Sequence, residues 1–386
     1  MARRWLFIVA ALAPDRNTGT SPKGEGALTP PAHLPPVIIL APVRNEIEAL
    51  PALLPALDQL DYPGEQLTVV LIDDGSTDGS AKLMAAWART RPNWHIVSMP
   101  QNVGKARALN AGLTHFPQGE IVVIYDADER PQPEALRYLA APFADKRVGA
   151  VSGRRAISNP LASPVASYTT FEGLVHQLVT MRAKDRLNLA PAVLGANCAY
   201  RRQALVEVGA FKSGALLEDS DLSLKLPRAG WTTRFAPAAV SVHLAPRTWS
   251  GYWQQHTRWA RGFNEVAREQ GLALLFDRRP LPLLLRLELV AFAAGYLDRV
   301  ALVLAGGLLL FRKWTRFPAW VMAASLLTPF WQTIAALKIA RAPGAMWARI
   351  VWLPLFFGLD LAMAASGLWS TLKQTPQIWE ERRGRK

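Results

Sequence analysis

Hydrophobic positions fall into three textures along the chain. Between residues 37 and 125 short apolar runs alternate with stretches of helical spacing. Val37-Ile38-Ile39-Leu40, Leu67–Ile72, His95–Met99 and Ile121–Tyr125 read as buried strands. Glu46–Leu60, Ser80–Thr90 and Ala106–Thr114 read as the helices between them, with Pro51 and Pro55 as irregularities in the first. This alternation predicts a parallel, doubly wound sheet with helices on both faces. From residue 149 the pattern breaks up. Gly149–Ser152 reads as a strand, and Ser158–Asp185 as mostly helical after Pro160. Asn188–Tyr200 reads as a loop and short strand, Arg201–Val208 and Leu222–Ala229 as helices, and Thr233–Ala236 and Ala239–His243 as strands. A longer helix covers about Gly251–Gln270. Gly230 ends the Leu222–Ala229 helix.

From Leu281 the apolar runs lengthen. Pro318–Leu337 is about 20 residues without a charge, the length that spans a bilayer. Ile350–Leu372 is a second candidate span, interrupted by Asp360. An acid at that depth is costly unless it faces a partner or a polar path, and both readings stand. Leu283–Phe311 carries Arg286, Glu288, Asp298 and Arg299. It reads as an amphipathic interfacial helix running into a membrane helix near Val300–Phe311. At the other end, Arg3-Arg4 and the apolar run Trp5–Ala13 imitate a signal peptide but are too short to cross a bilayer. The run reads as a surface anchor or the remnant of a longer helix. Asn17–Pro36, rich in Gly, Ser, Thr and Pro, reads as a linker.

Composition narrows the partners. The chain has 386 residues, enough for one catalytic domain and a second region, and a net charge of +14. Nucleic acid, anionic lipid or a phosphate-bearing substrate would each explain that charge. No run of basic residues interleaved with aromatics appears, so nucleic acid is set aside. The basic residues instead flank the apolar C-terminal segments, at Arg312, Lys313, Arg316 and the tail Arg382-Arg383-Gly384-Arg385-Lys386. This is the positive-inside pattern of a membrane protein. A single cysteine, Cys198, excludes an intramolecular disulfide and reads as a buried thiol.

Candidate chemistry sits at four stations. Asp73 and Asp74 end one strand, and Asp126 and Asp128 end another. Glu218 and Asp219 form an acidic pair, and Gln255-x-x-Arg258-Trp259 lies on the late helix. Carboxylates at the carboxyl edge of an open α/β sheet suit a hard divalent cation, and a cation suits a diphosphate. The competing reading is that Asp126 and Asp128 cap the helix that Pro131 and Pro133 announce. Transfer from a nucleoside diphosphate needs a polar group for the base and positive charge for the departing diphosphate. It also needs a carboxylate to take the proton of the attacking hydroxyl. The chain offers a candidate for each.

The ordered run APVRNE, DDGS, NVGKARALN, DAD, LEDSD and QHTRW resembles the inverting family-two glycosyltransferases with a GT-A fold. It is most similar to the membrane-embedded processive synthases of cellulose, chitin, hyaluronan and poly-N-acetylglucosamine. The resemblance covers about residues 37–270. It implies a GT-A-like doubly wound mixed α/β sheet that binds a nucleotide, followed by interfacial helices and C-terminal transmembrane α-helices. The implied division is residues 1–36 as apolar N-terminus and linker, 37–245 as the GT-A domain and 246–299 as interfacial helices bearing QxxRW. Residues 300–372 would be the transmembrane region and 373–386 a basic tail.

By the same resemblance, Asp74 would bind the uracil and ribose side of the donor with Asp73 in support. Pro42 and Glu46 would shape that pocket, and Lys105 would approach the diphosphate. Asp126 and Asp128 would hold the donor and Mg²⁺ or Mn²⁺, Asp128 the more direct ligand. Asp219, with Glu218 beside it, would be the general base. Arg258 would stabilise the diphosphate, and Gln255 and Trp259 would meet the acceptor sugar. Gly195-Ala196-Asn197-Cys198 lies where related synthases place acceptor-binding backbone. Leu217 departs from the threonine the synthases often carry.

Plainer readings stand beside these. Lys105 also reads as a solvated helix residue, Trp259 as interfacial packing, Asp221 as a brace of the acidic helix, and His243 and His256 as structural. The expected function is a membrane-bound, multi-pass inverting β-glycosyltransferase with its catalytic domain on the cytoplasmic face of the cell membrane. It would move a sugar from a UDP-sugar, of the UDP-glucose or UDP-N-acetylglucosamine class, to a polysaccharide. Alternatives are a single transfer to a lipid acceptor, favoured by the compact membrane region, and a non-catalytic scaffold. The scaffold would be expected to lose a station, and every station is present.

Overall fold

The computed structural model describes residues 2–14, 34–277, 279–295 and 317–372. They fall into two compact units. One, bearing the sheet, takes Asp15–Ser158 and Ala190–Leu244. The other, helical, takes Met1–Pro14, Asn159–Leu189 and Ala245–Lys386. The helical segment Asn159–Leu189 is thus inserted into the chain of the sheet unit.

The sheet has eight strands: β1 Val37–Val43, β2 Leu67–Asp73, β3 Trp94–Ser98, β4 Ile121–Ile124, β5 Arg130–Pro131, β6 Val148–Ile157, β7 Cys198–Arg201 and β8 Thr232–His243. Their order is β3-β2-β1-β4-β7-β6-β8-β5. The first four are mutually parallel, with Val37 opposite both Leu67 and Ile121. β7 then runs antiparallel to β4 and β6, so the sheet is mixed. Alternate residues of β1 enter opposite cores. Val37, Ile39, Ala41 and Val43 pack on one face, Ile38 and Leu40 on the other. Burial on both faces explains why these strands read as unbroken apolar runs.

The second half of the sheet departs from the sequence expectation. The two strands expected at Thr233–Ala236 and Ala239–His243 are one strand, β8, and β6 runs on past Ser152 to Ile157. Their pairing shifts register between Gly153 and Arg154. Asn197 explains the offset, since its Nδ2 donates to the carbonyls of Arg154 and Ala239, both at 2.9 Å. A Cβ on Gly153 would meet that Nδ2 at 2.5 Å, so this position takes glycine. The helix expected from Leu222 begins at Glu218 and runs to Arg228, which puts Glu218, Asp219 and Asp221 in its first turn. Three acids there complement the helix dipole.

In the helical unit, Ser163 caps the helix Pro164–Leu174 by accepting from the N–H of Ala166 at 3.1 Å, and Pro164 takes the first turn. A π-helical stretch, Val175–Met181, continues into the helix Arg182–Arg186. The helix Trp249–Leu275 carries QHTRW, and Leu283–Ala293 follows. The expected span Pro318–Leu337 falls within the helix Phe317–Ile339, and Leu353–Leu372 closes the described part. Among the described residues one stretch, Gly344–Met363, is long and apolar enough to cross a membrane. The helix expected near Val300–Phe311, nearly all of the Asn17–Pro36 linker and the basic tail lie outside the described residues.

Candidate functional site

Three parallel strands deliver their loops to one edge of the sheet. β1 and β2 lie on one side of the switch point and β4 on the other, because the chain leaves β1 toward β2 and β3 and returns to β4. A crevice opens where strand order reverses, and ligands bind there in open α/β sheets. The loop after β1 is tied to the loop after β2. The N–H of Asn45 donates to Ser76 Oγ at 3.1 Å, that of Glu46 to Ser80 Oγ at 3.0 Å, and that of Thr77 to Asn45 Oδ1 at 2.8 Å. Gly75, at φ +69°, takes the left-handed turn between them. A Cβ there would meet the carbonyl carbon of Gln101 at 2.7 Å.

Asp73 accepts from the N–H of Ser76 at 3.1 Å and so shapes its own turn. Asp74 is buried, and its two oxygens accept from the N–H groups of Val103 at 2.7 Å and Gly104 at 3.0 Å. Burial pushes its carboxyl up from the ordinary value, against the pull of those amides and of the Arg44 guanidinium. Asp74 therefore fixes the start of the helix Lys105–His115.

That fixed start aims Lys105. Its Nζ lies 2.7 Å from Asp126 Oδ1 and 3.2 Å from Glu218 Oε1, and it donates to the Gly195 carbonyl at 2.7 Å. Burial alone would lower this ammonium's affinity for its proton. The carboxylates of Asp126, Glu218 and Asp219 outweigh it and hold the proton more firmly. One cation thus joins the turn after β4, the acidic helix and the loop before β7. Gly195 is close packed, since a Cβ there would sit 3.0 Å from Asp219 Oδ2. Asp219 is half-buried, and its Oδ1 accepts from the N–H of Ser220 at 2.7 Å. Asp221 pairs with Lys225 one turn on at 2.7 Å, a brace within the helix.

Behind the turn after β4 stands a buried ion pair. Glu129 is fully buried, and Arg155 on β6 reaches its Oε1 at 2.5 Å. Ser241 on β8 donates to the other oxygen of Glu129. Burial and the nearby acids push the Glu129 carboxyl up, while Arg155 and Ser241 favour its charge. The pair anchors Asp126-Ala127-Asp128 from below. The donor set fits a hard divalent cation, because Asp126 and Asp128 supply carboxylate oxygens. The Lys105 contact marks Asp126 as a face that positive charge satisfies.

Sequence reasoning missed Arg44, Glu129 and Arg155. Arg44 acts on Asp74 electrostatically, and its Nε and Nη1 are buried with no hydrogen-bond partner among the described residues. Glu129 directly follows the DAD run, which was a usable signal. Arg155 carries no local signal, since strand pairing decides its partner. Cys198 is fully buried, paired in register with Ile124, and burial raises its thiol, as expected of an inert thiol. Pro42, near the end of β1, and Glu46, on the loop after it, are both half-buried. Gln255, Arg258 and Trp259 are half-buried on a helix of the other unit, where Trp259 lies 4.6 Å from the His256 ring.

The family described as "Glycosyltransferase like family 2" matches residues 35–262. The probable glycosyltransferase YdaM of Bacillus subtilis (strain 168) is 30% identical over 234 residues, 60% of this chain and 56% of that protein. The poly-beta-1,6-N-acetyl-D-glucosamine synthase of Staphylococcus aureus (strain COL) is 27% identical over 263 residues, 68% of this chain and 63% of that protein. These matches span 56% and 63% of the relatives' lengths, so each relative extends well beyond the matched region. Among solved structures, the mannosyltransferase PcManGT from Pyrobaculum calidifontis in complex with GDP-Man and Mn²⁺ superposes with a TM-score of 0.64 at 24% identity. That match covers 97% of this chain and 96% of the other, and the likeness is one of fold.

Proposed function

The chain belongs to the family-2-like glycosyltransferases, and from that premise we propose a membrane-bound inverting β-glycosyltransferase that moves a sugar from a UDP-sugar to a polysaccharide acceptor. One observation carries this reading. Lys105 gathers Asp126, Glu218 and the Gly195 carbonyl within 3.2 Å, with Asp219 against Gly195, at the switch point of the sheet. Lys105 thereby joins a donor-side acid to the acidic pair that holds the candidate base.

The contacts of Asp74, Lys105 and Asp126 support the following assignments. Asp74 and Asp73 hold the loops that would enclose the base and ribose, and Pro42 and Glu46 would line the same pocket. Lys105 would face the diphosphate oxygens. Asp126 and Asp128 would hold Mg²⁺ or Mn²⁺, which when bound neutralises charge on the departing diphosphate. Asp219 would accept the proton of the acceptor hydroxyl as that oxygen attacks the anomeric carbon from the face opposite the diphosphate. Glu218, paired with Lys105, keeps the neighbouring charge balanced. Arg258 would add positive charge to the diphosphate, and Gln255 and Trp259 would meet the acceptor.

The membrane part of the reading rests on exposure. The span Gly344–Met363 is apolar enough to cross. Of the large apolar side chains exposed among the described residues, all but Val206 belong to the helical unit. Leu283, Leu284, Leu327, Val351 and Leu355 are each at least 54% exposed, a pattern suited to lipid. A lipid acceptor is the second reading, since these apolar faces would also receive a lipid-borne sugar acceptor.

The test is Asp219→Asn in membranes supplied with labelled UDP-N-acetylglucosamine, UDP-glucose or GDP-mannose. Transfer should fall about 10³-fold while UDP binding survives, the range expected for loss of a general base. Full transfer in the variant would remove Asp219 as the base. Transfer from GDP-mannose alone would overturn the donor class, and a single labelled glycolipid in place of a ladder would select the lipid acceptor.

A further inference from the structure

The helical unit holds a cluster that sugar transfer leaves unused. Glu172 on the helix Pro164–Leu174, His256 on the helix Trp249–Leu275 and Asp360 on the helix Leu353–Leu372 converge. One ligand atom from each lies within 4.8 Å of the other two. His256 is 4% exposed and Asp360 1%. His256 Nε2 lies 3.6 Å from Glu172 Oε2, and the Tyr252 hydroxyl donates to that same oxygen at 3.1 Å. Tyr252 stacks on the imidazole with ring centres 3.9 Å apart, and Trp259 closes another side.

Two carboxylates and an imidazole within reach of one another form a donor set whose charge a divalent cation would offset. The Glu172 side chain keeps 26% of its surface exposed, so the group is enclosed at His256 and Asp360 and open at Glu172. The spacing agrees. Two ligands on a cation with bonds of about 2.1 Å at tetrahedral angles stand roughly 3.4 Å apart, close to the 3.6 Å between His256 and Glu172. One nitrogen and two carboxylate oxygens suit zinc or a first-row neighbour, unlike the all-carboxylate Asp126 and Asp128 pair.

We propose that Glu172, His256 and Asp360 form a second, structural divalent-metal site that clamps three helices of this unit together. His256 lies inside Gln255-x-x-Arg258-Trp259, so the clamp sets the rotation of the helix that presents Gln255, Arg258 and Trp259.

The full chain is purified in detergent, dialysed against micromolar Zn²⁺ and then metal-free buffer, and its zinc measured by mass spectrometry. Co²⁺-loaded protein is examined for visible absorption. One equivalent should remain per chain, and Co²⁺ should give the intense bands of a low-coordinate site. His256→Gln and Asp360→Asn should each bind about tenfold more weakly or worse. Asp128→Asn should keep its equivalent, which separates this site from the donor site. An unmodified chain that retains no zinc overturns the proposal without recourse to any variant. So does an equivalent that survives in both His256→Gln and Asp360→Asn, or one that vanishes in Asp128→Asn.

Discussion

The two units handle buried charge in different ways. In the sheet unit the acids stand at strand ends, where main-chain groups are still unspent. Asp74 takes the N–H groups of Val103 and Gly104, Asp73 that of Ser76, and Lys105 finds the Gly195 carbonyl. In the helical unit the main chain is already consumed by helical hydrogen bonds. The buried charges of Lys184 and Glu288 are met there by side chains distant in sequence. Lys184 lies 2.7 Å from Glu288, both about 4% exposed, and Arg3 reaches the same carboxylate at 2.6 Å. A loop edge keeps spare donors and acceptors for a ligand, whereas a helix bundle must be satisfied from within. The sheet unit therefore keeps polar groups free at its edge to meet a ligand, and the helical unit spends its own on holding helices together.

Stranding the most deeply buried carboxylate should cost most. Arg155→Met leaves the fully buried Glu129 with Ser241 alone, and denaturant unfolding should show a loss of about 4 kcal/mol. Glu129→Gln in that background should recover part of it, since the stranded charge is then gone. No recovery would mean that Arg155 acts by packing its stem, and the contrast with the helical unit would weaken.

The matching change in the helical unit is Lys184→Met. Arg3 remains on Glu288, and the loss in thermal unfolding should be smaller, about 3 kcal/mol. A loss above that of Arg155→Met would reverse the ranking of the two units.

The smallest effect belongs to an exposed pair of the sheet unit. Arg147 and Asp145 meet at 2.9 Å with side chains 80% and 39% exposed. Arg147→Ala should leave the unfolding temperature nearly unchanged at neutral pH. The hydrogen bond from Arg147 holds the Asp145 carboxyl down to about 2, from an ordinary 3.8. A depressed carboxyl adds stability above its unfolded value and loses it as pH falls through the folded one. Any difference between wild type and Arg147→Ala should therefore shrink as pH falls from 3.8 toward 2. A difference that grows on acidification would refute the pairing.

Much of the site was legible in the sequence because its stations end local elements. Asp73–Asp74 and Asp126–Asp128 follow apolar runs, and Glu218–Asp219 opens a helix. The joined strand β8 and the long β6 were not legible. Gly153-Arg154-Arg155 interrupts the apolar pattern, and the two strands pair through a register shift that Asn197 bridges. Arg155 was hidden for the same reason, since its meeting with Glu129 depends on which strands become neighbours.

The sequence by itself determined the parallel half of the sheet, the places where acids gather, and the lengthening of the apolar runs after Leu281. Each follows from hydrophobic periodicity or residue type within a short window. The tertiary structure decided that Asp74 steadies the loop ahead of Lys105, and that Lys105 ties Asp126 to Glu218 and Gly195. It also decided that His256, an ordinary-looking residue inside QHTRW, meets Glu172 and Asp360. These contacts join residues far apart in sequence. Burial and charge compensation select them, and both exist only after the chain has closed on itself.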